Sequence, residues 1–390
     1  MQICVHTADR GTRKELILDY LYTATCLFGV EGLLGREIDM LGGRRVENMD
    51  GRITFAGNGE TAARAAVGLR FAERLYLNVG SFEAHTFSEL FEGVSAIAWE
   101  DYIPKNGAFP VKGHAIRSTL FSVPDCQSII KKAVAVRLGG HYSTRVMPED
   151  GERYQIEFFI FKDRATLMID ITGAPLHKRG YRPERVEAPI RETLAAALAS
   201  ISRLREDVLL WDPFCGSGTI AIEAAMLMKN IAPGARRRFA GEALGLFPER
   251  SFDDARAAAI AAERHDTAFR ARATDINPEC VRIAGESAAR AGVDDIVECR
   301  GADALTIETG GVRGTIVTNP PYGERLMTVS EAEQLYRRMG RHFKTLDRWQ
   351  IYVLTQNERF PTLYGRRPDK VRKLYNGMIP CYFYQFFKNN

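Results

Sequence analysis

The sequence predicts an α/β domain with a doubly wound, mostly parallel sheet in its C-terminal half, preceded by smaller α+β units. The chain has 390 residues, more than one hydrophobic core usually organises, so at least two domains are expected. Beyond residue 190, strand-like and helix-like segments alternate, which is typical of a parallel sheet. Before residue 172, short strands stand beside single helices, and the last two strands alternate in polarity as in a sheet with one covered face.

The N-terminal half contains two stretches of α+β character. Residues 22–55 fit strand, helix and strand, with Leu33, Leu34, Ile38 and Leu41 on one face of the helix. Residues 60–171 continue with a strand at 70–82, an amphipathic helix at 87–99 and two strands around the turn at 162–164. We therefore expect one unit over residues 1–58 and a second over residues 59–172.

A basic segment, residues 173–189, separates these units from a C-terminal domain expected over residues 190–390. It combines turn residues with the cations Lys178, Arg179, Arg182 and Arg185. We expect Lys178, Arg179 and Arg182 to contact the phosphates of a nucleic acid. A solvated charged linker would have the same composition, and this alternative stays open.

In the C-terminal domain the predicted elements follow one another with little between them. Helices are expected at 190–204, 217–228, 278–291 and 331–343. Strands are expected at 208–211, 269–274, 296–299, 314–318 and 350–354, with a closing hairpin around Asn376 and Gly377. Residues 231–266 form an insertion in this alternation.

Composition narrows the class of protein. The net charge of +4 and the isoelectric point near 8.6 suit a polyanionic partner without requiring one. Seven cysteines show no CxxC pair, so neither a metal site nor a disulfide framework is expected. Charged residues interrupt the first twenty positions and no apolar run approaches the length of a bilayer span. We expect a cytoplasmic protein with no membrane partner.

The first chemical motif is a glycine loop, DPFCGSGT at 212–219, between a strand and an alanine-rich helix. Gly216 and Gly218 lack side chains, so a nucleotide-like ligand can approach the backbone, and the helix start offers free N–H groups. The same spacing satisfies a loose dinucleotide fingerprint, so a nicotinamide dehydrogenase remains an alternative. A second alternative is that the loop is a tight turn that binds no ligand.

Two acidic residues follow the next two strands. Asp275 ends the second predicted strand, where a ribose diol is commonly held by a carboxylate. Asp303 follows the third strand and could accept a hydrogen bond from an adenine amino group. Either residue alone could be a helix cap or turn residue. Their position after successive strands favours a shared binding site.

The most specific motif is Asn319-Pro320-Pro321-Tyr322-Gly323, directly after an apolar strand. Methylation of an exocyclic amine requires that its nitrogen lone pair be freed from the ring. Two acceptors on its N–H groups, Asn319 Oδ1 and the Pro320 carbonyl, would do this, and the prolines hold them in place. Tyr322 could stack on an extruded base. A simple turn closing the strand would use the same residues.

The order of glycine loop, acid, acid and Asn-Pro-Pro-Tyr resembles the THUMP-containing class I methyltransferases, specifically the bacterial large-subunit ribosomal RNA guanine-N2 methyltransferase family. The similar segments span about 22–388 and are TCLFGVEGLLGREI, LHKRGYRPERVEAPIRETLAAAL, DPFCGSGTIAIEAA, ATDINPECVRIA, GADAL and TNPPYGERL. The resemblance implies ferredoxin-like and THUMP domains before a methyltransferase sheet of seven strands. It also implies binding of structured, ribosomal RNA by the N-terminal half.

The resemblance also implies roles for individual residues. Those expected to bind S-adenosylmethionine are Asp212, Phe214, Gly216, Gly218, Thr219, Asp275, Ile276 and Asp303. Those expected to hold the target base are Asn319, Pro320 and Tyr322. Transfer would be a direct attack of the base nitrogen on the methyl sulfonium, with no metal.

The expected activity is methylation of guanine N2 in 23S rRNA. The alternatives are a tRNA guanine-N2 methyltransferase, an adenine-N6 methyltransferase, and a catalytically silent RNA-binding assembly factor. Some family members carry a second methyltransferase domain, and because this chain ends soon after its closing hairpin, a second activity is not expected.

Overall fold

Two β-sheets organise the chain in the computed structural model, which describes residues 4–10, 13–183, 190–322 and 328–387. The N-terminal sheet has eight strands, seven of them in the order β3-β4-β2-β5-β8-β7-β6, with β1 paired to β2. Their bounds are β1 (Cys4–Arg10), β2 (Arg13–Cys26), β3 (Arg44–Met49), β4 (Arg52–Gly57), β5 (Ala72–Glu83), β6 (Val111–Ile116), β7 (Ile156–Phe161) and β8 (Arg164–Asp170). One continuous sheet therefore joins both N-terminal units.

Four helices cover one face of this sheet: α1 (Glu31–Met40), α2 (Gly59–Gly68), α3 (Phe87–Ser95) and α4 (Val123–His141). In β7 the residues Ile156, Phe158 and Ile160 are fully buried and alternate with half-buried ones, as expected for a sheet with one covered face. The alternation predicted for the last two strands is thus present in β7, but it is wrong for the second half of β8, where residues 167–170 are all buried because both faces are covered there.

The C-terminal sheet has seven strands in the order β11-β10-β9-β12-β13-β15-β14. They are β9 (Leu209–Asp212), β10 (Ala271–Asp275), β11 (Val297–Gly301), β12 (Gly314–Thr318), β13 (Trp349–Thr355), β14 (Lys370–Asn376) and β15 (Ile379–Phe386). The pairs from β11 to β13 are parallel, and β15 is antiparallel to both its neighbours. The predicted doubly wound, mostly parallel sheet is confirmed.

Six helices accompany this sheet: α5 (Glu192–Ile201), α6 (Thr219–Met228), α7 (Ser251–Ala261), α8 (Pro278–Ala291), α9 (Val329–Phe343) and α10 (Phe360–Tyr364). The chain moves from β9 to β10 on one side and later returns to β12 on the other side of β9. The crevice at the carboxyl ends of β9 and β12 is therefore the switch point of the sheet, where α/β folds bind their ligands.

A buried polar cluster joins the two halves of the chain. Arg70, in the N-terminal half, lies 3.9 Å from Glu223 of α6, and both side chains are almost fully buried. Arg179 from the basic segment also reaches Glu223, at 3.4 Å, and Tyr181 donates a hydrogen bond to it at 3.0 Å. Because α6 begins at the glycine loop, this cluster anchors the helix on which the candidate site is built.

Candidate active site

The glycine loop forms the turn between β9 and α6. Gly216 and Gly218 have φ values of +52° and +77°, a region that favours glycine. Apart from its two chain neighbours, no atom of the residues that the structure describes lies within 4 Å of where a Cβ on Gly216 would stand, whereas a Cβ on Gly218 would be 3.0 Å from Ala284 in α8. Gly216 therefore leaves open space for a ligand, and Gly218 permits α6 to pack on α8.

The other loop residues of this motif are more enclosed. Phe214 is half-buried against the apolar cluster around Trp211, and Thr219 is 2% exposed with its hydroxyl 3.1 Å from that of Ser217. Thr219 could therefore contact a ligand only through its backbone, and Phe214 through its backbone or one edge of its ring.

Asp275 ends β10 beside the glycine loop. Its Oδ2 accepts a hydrogen bond from the Gly216 amide at 3.0 Å, and its Oδ1 accepts one from the Asn277 amide at 2.9 Å. Each carboxylate oxygen can accept a second hydrogen bond, so the group is both fixed by the loop and still able to bind hydroxyl groups. Ile276, next to it, is 78% exposed, which leaves an apolar surface at the mouth of the crevice.

Asp303 follows β11 and is half-buried. Its Oδ1 accepts a hydrogen bond from the Leu305 amide at 2.9 Å, which fixes the turn after the strand. Asp275 and Asp303 therefore stand at the same edge of the sheet as the glycine loop, after neighbouring strands.

Asp212 links the glycine loop to the Asn-Pro-Pro-Tyr motif. The residue is 1% exposed, and its Oδ1 accepts hydrogen bonds from the Thr318 hydroxyl at 2.6 Å and the Phe214 amide at 3.2 Å. Burial raises the pKa of Asp212 to about 7, and the charge of Asp275 acts in the same direction, while the two hydrogen bonds oppose it. The carboxyl group thus ties the ends of β9 and β12 together.

The Asn-Pro-Pro-Tyr motif begins directly after β12. Asn319 is half-buried and Pro320 is buried. The Tyr322 hydroxyl donates a hydrogen bond to Asn319 Oδ1 at 2.5 Å. Gly323, the last residue of the predicted motif, lies outside the described residues.

Two residues that the sequence did not indicate support this motif. The buried Tyr336 of α9 donates a hydrogen bond to the Pro321 carbonyl at 2.9 Å, and its hydroxyl also lies 3.1 Å from that of Thr355 at the end of β13. Thr318, directly before Asn319, holds the start of the motif in place through its hydrogen bond to Asp212. The helical period of α9 marks Tyr336 as a core residue, but no sequence pattern shows which carbonyl its hydroxyl meets.

The basic segment divides into exposed and buried cations. Lys178 is exposed, and Arg182 is half-buried and paired with Glu192 at 2.9 Å. The prediction that Arg179 contacts RNA is wrong, because its side chain is 1% exposed and donates to the carbonyls of Leu176 and Arg70. Arg185 lies outside the described residues.

Membrane-spanning helices and metal-ligating clusters are both absent from the part of the chain that the structure describes. No helix there is both long and apolar enough to cross a membrane. The same residues contain no group of three or more His, Cys, Asp or Glu side chains that could hold a metal ion.

Three family models match successive parts of the chain. Residues 22–76 match the RlmL ferredoxin-like domain, residues 84–170 match the THUMP domain, and residues 179–385 match the RMKL-like methyltransferase domain. The predicted kinds of domain and their order are confirmed, while the exact limits given above stay a prediction.

Curated relatives resemble the whole chain. The putative RNA methyltransferase YpsC of Bacillus subtilis is 42% identical over 371 residues, which cover 94% of this chain and 96% of that protein. The ribosomal RNA large subunit methyltransferase K/L of Psychromonas ingrahamii is 33% identical over 90% of this chain and 48% of its own length. The chain spans about half the length of the K/L proteins it matches.

Solved structures resemble it equally closely. A putative methyltransferase, SMU.472, complexed with SAH shares 39% identity and a TM-score of 0.88, with 95% of this chain and 98% of that chain covered. A predicted N6-adenine-specific DNA methylase from Listeria monocytogenes shares 41% identity and a TM-score of 0.88, covering 95% of this chain and 96% of its own. The Listeria monocytogenes protein is described as adenine-specific, whereas SMU.472 is described as a methyltransferase without a stated base.

Proposed function

The chain belongs to the THUMP-containing RNA methyltransferases with an RMKL-like methyltransferase domain, it uses S-adenosylmethionine, and from this premise we propose that it methylates the exocyclic N2 of a guanine in large-subunit ribosomal RNA. The observation that carries the proposal is the Asp212–Thr318 hydrogen bond of 2.6 Å. It joins the glycine loop to the strand end that bears Asn319, so a methyl donor on the loop and an amine at Asn319 would meet at one switch point.

The crevice fits S-adenosylmethionine in three respects. Gly216 leaves space at the loop, the Asp275 carboxylate retains acceptor capacity for a ribose diol, and Ile276 offers an exposed apolar surface for a purine ring. Asp303, after the neighbouring strand, would accept a hydrogen bond from the adenine amino group. We propose that Asp212, Phe214, Gly218 and Thr219 shape this crevice rather than bind through their side chains.

S-adenosylmethionine supplies a methyl group already activated on a sulfonium. The task of the protein is therefore positioning and desolvation. Asn319 Oδ1 and the Pro320 carbonyl would accept the two N–H groups of the target amine and turn its lone pair toward the methyl group. Tyr336 and Thr318 keep this segment in place through hydrogen bonds on either side of it.

Tyr322 has two features relevant to base binding. Its ring can stack on an extruded base, and its hydroxyl already donates to Asn319 Oδ1. A carbonyl oxygen has two lone pairs, so Asn319 can accept an amine hydrogen while keeping this bond, or exchange one for the other. The Tyr322 hydroxyl thereby holds the amide oxygen toward the position proposed for the base.

RNA capture is assigned to the N-terminal half and to the exposed Lys178; the Arg182 side chain is 13% exposed and paired with Glu192, so it would be a minor phosphate contact. Phosphate contacts of this kind release counterions, so the affinity of the whole chain for RNA should fall steeply with salt. Salt-independent binding would count against this assignment.

Two alternative functions predict different reaction products. An adenine-N6 methyltransferase would use the same acceptors on a different amine, and the description of the Listeria monocytogenes relative names that class. A silent assembly factor would bind RNA without methyl transfer.

The experiment is incubation of the protein with radiolabelled S-adenosylmethionine and an unmodified 23S rRNA transcript, followed by nucleoside mass spectrometry and mapping of the label. N2-methylguanosine at one position supports the proposal. N6-methyladenosine would establish the first rival, and tight binding without label would establish the second. In a parallel incubation with unmodified tRNA, N2-methylguanosine formed in the tRNA and not in the 23S rRNA transcript would make tRNA the substrate of the same reaction.

A further inference from the structure

The hairpin of β14 and β15 extends beyond the edge of the sheet that carries the candidate site. Thr355, the last residue of β13, pairs with Tyr382, but β14 and β15 continue pairing for three more positions, to Asn376 opposite Ile379. At about 3.3 Å per residue, the tip stands roughly 10 Å past the end of β13. It projects on the side where Asn319 leaves β12, two strands away.

The end of this hairpin is apolar and unusually exposed. Met378 is 91% exposed and Ile379 is 41% exposed, and Pro380 beside them is exposed as well. Single exposed apolar residues are common on protein surfaces. Two adjacent ones at the end of a projecting turn indicate a contact surface. We call residues 376–380 the hairpin tip.

The strand leading to the hairpin tip is basic. Residues 370–380 contain Lys370, Arg372 and Lys373 and no acidic residue. Lys370 and Lys373 are exposed, and the guanidinium of Arg191 approaches the tip, 3.7 Å from where a Cβ on Gly377 would stand. Exposed apolar side chains at the end of a basic strand match the chemistry of RNA, whose bases can contact apolar groups while its phosphates attract cations.

The hairpin is also in contact with the N-terminal half. The rings of Phe28 and Tyr375 meet edge to face at 5.4 Å, and a Cβ on Gly29 would come within 2.7 Å of the Lys373 carbonyl oxygen. Phe28 keeps 47% of its surface exposed at this junction. One surface therefore runs from the N-terminal half across the hairpin to the edge of the crevice.

From these observations we propose that the hairpin tip is a wedge that enters the RNA beside the target nucleotide, with Met378 and Ile379 against the bases and Lys373 on the flanking phosphate. This inference rests on the proposed function. An enzyme that acts on a base must take it out of its stack, and apolar side chains that fill the vacated space stabilise the extruded state. The step involves no covalent change.

The test uses the full chain and a 23S rRNA fragment that spans the mapped guanosine, with 2-aminopurine at the nucleotide next to it. Binding of the wild-type protein should raise the 2-aminopurine fluorescence because the neighbouring stack is broken. In the double variant Met378→Ala, Ile379→Ala this rise should be lost, and the single-turnover methylation rate should fall about 10- to 100-fold, the range expected when extrusion is no longer assisted.

Met40→Ala is the matched control. Met40 is 78% exposed at the end of α1, in the N-terminal half, and its substitution should leave both readouts unchanged. Because the substituted side chains are exposed, the melting temperature of all variants should equal that of the wild type, and a lowered value in the double variant would assign the tip a structural role.

Four outcomes contradict the proposed wedge. They are the lowered melting temperature of the double variant, an unchanged fluorescence rise and methylation rate in that variant, no fluorescence rise with the wild type, and a wild-type dimer that the double variant converts to a monomer, which would make the tip an interface between copies. Failure of the proposed function is distinguishable, because then the wild-type protein itself would form no N2-methylguanosine.

Discussion

At the scale of single residues, Asp212 is the one whose role changes most once its surroundings are known. A carboxylate at the end of β9, the first strand of the C-terminal sheet, suggests a ligand contact. Asp212 is 1% exposed, however, and accepts a hydrogen bond from the Thr318 hydroxyl. Burial and the nearby Asp275 raise its pKa to about 7. Asp212 therefore fixes the position of the glycine loop relative to the Asn-Pro-Pro-Tyr motif.

The raised pKa predicts how stability depends on pH. The folded state holds the Asp212 proton more tightly than the unfolded state, whose pKa is about 3.9, so the stabilisation is fully present below that value and lost as pH rises through about 7. In Asp212→Asn, a neutral group with the same acceptor, this part of the pH dependence should vanish. Urea unfolding of both proteins at pH 5 and pH 8 measures it.

Asp207→Asn provides the control for that comparison. Asp207 is exposed, and a hydrogen bond from Arg205 lowers its pKa, so its substitution should not remove the loss of stability between the two pH values. Parallel pH profiles for wild type and Asp212→Asn would mean that Asp212 is not protonated in the folded protein near neutral pH.

The residues that could be predicted from the sequence are those whose chemistry is unusual for a strand end. A glycine loop, two acids and Asn319 between an apolar strand and two prolines are such residues, and all stand at one edge of the sheet. Arg179 was predicted wrongly, because a charge in the sequence does not reveal whether a partner such as Glu223 will bury it. Tyr336 was missed because its hydroxyl partner comes from another element.

At the scale of elements, the two loop glycines have different tasks. Both adopt positive φ, so alanine at either position is strained by about 1 to 2 kcal/mol. Only at Gly218 would the new Cβ also press on Ala284, at 3.0 Å, and force α6 away from α8. Gly216 faces open space instead.

We therefore expect Gly218→Ala to lower the melting temperature more than Gly216→Ala does. Gly216→Ala should instead weaken S-adenosylmethionine binding more than its small loss of stability explains, because its methyl group enters the proposed crevice. Differential scanning calorimetry and isothermal titration calorimetry measure the two effects. Unchanged affinity in Gly216→Ala would remove the loop from the cofactor site.

Some elements were missed although their sequence carries a signal. The buried positions of α4 are Cys126, Ile130, Ala133, Val134 and Leu138, which follow a helical period. The signal is weak because two of these side chains are small and because Val136, on the opposite face, is 55% exposed. The central strands of the C-terminal half were predictable because they are apolar runs buried on both faces, as in β12, where all five residues are buried, and in β13, where six of seven are.

At the scale of the whole molecule, the two halves are joined by buried charge. Arg179 bonds to the Arg70 carbonyl, 109 residues away, and reaches Glu223, 44 residues away. Pairs this distant in sequence leave no local pattern, so the interface could not be predicted. Its consequence is that the N-terminal half and the helix that begins at the glycine loop form one packed unit.

Arg179→Ala should destabilise the whole chain by about 3 to 5 kcal/mol, because it removes one partner from a buried ion pair and leaves Glu223 less compensated. Lys178→Ala is the matched control, since the neighbouring Lys178 is exposed. It should change stability by less than about 0.5 kcal/mol while weakening RNA binding at low salt. Equal stability of the two variants in urea would contradict the role given to Arg179.

We propose that Asn319 activates the target amine. Variants of the neighbouring Tyr322 separate this role of Asn319 from stacking on the base. Tyr322→Phe keeps the stacking ring but removes the hydroxyl that holds Asn319 Oδ1 in place, so the methylation rate should fall by the equivalent of one hydrogen bond, about 0.5 to 1.5 kcal/mol. Tyr322→Ala should lose base capture as well, about 1 to 3 kcal/mol of stacking. The two Tyr322 variants therefore separate the contribution of the hydroxyl from that of the stacking ring, and Asn319→Ala tests the acceptor itself.

The most direct measurement is the single-turnover rate of methyl transfer by Asn319→Ala on an unmodified 23S rRNA transcript with saturating S-adenosylmethionine. The Asn319 acceptor acts mainly as the amine reorganises toward the transition state, so the rate should fall on the order of 100- to 1000-fold. Affinity for S-adenosylmethionine and for RNA should stay near wild type, and the wild-type product should be N2-methylguanosine. Near wild-type turnover by Asn319→Ala would contradict the account and reduce the motif to a structural turn.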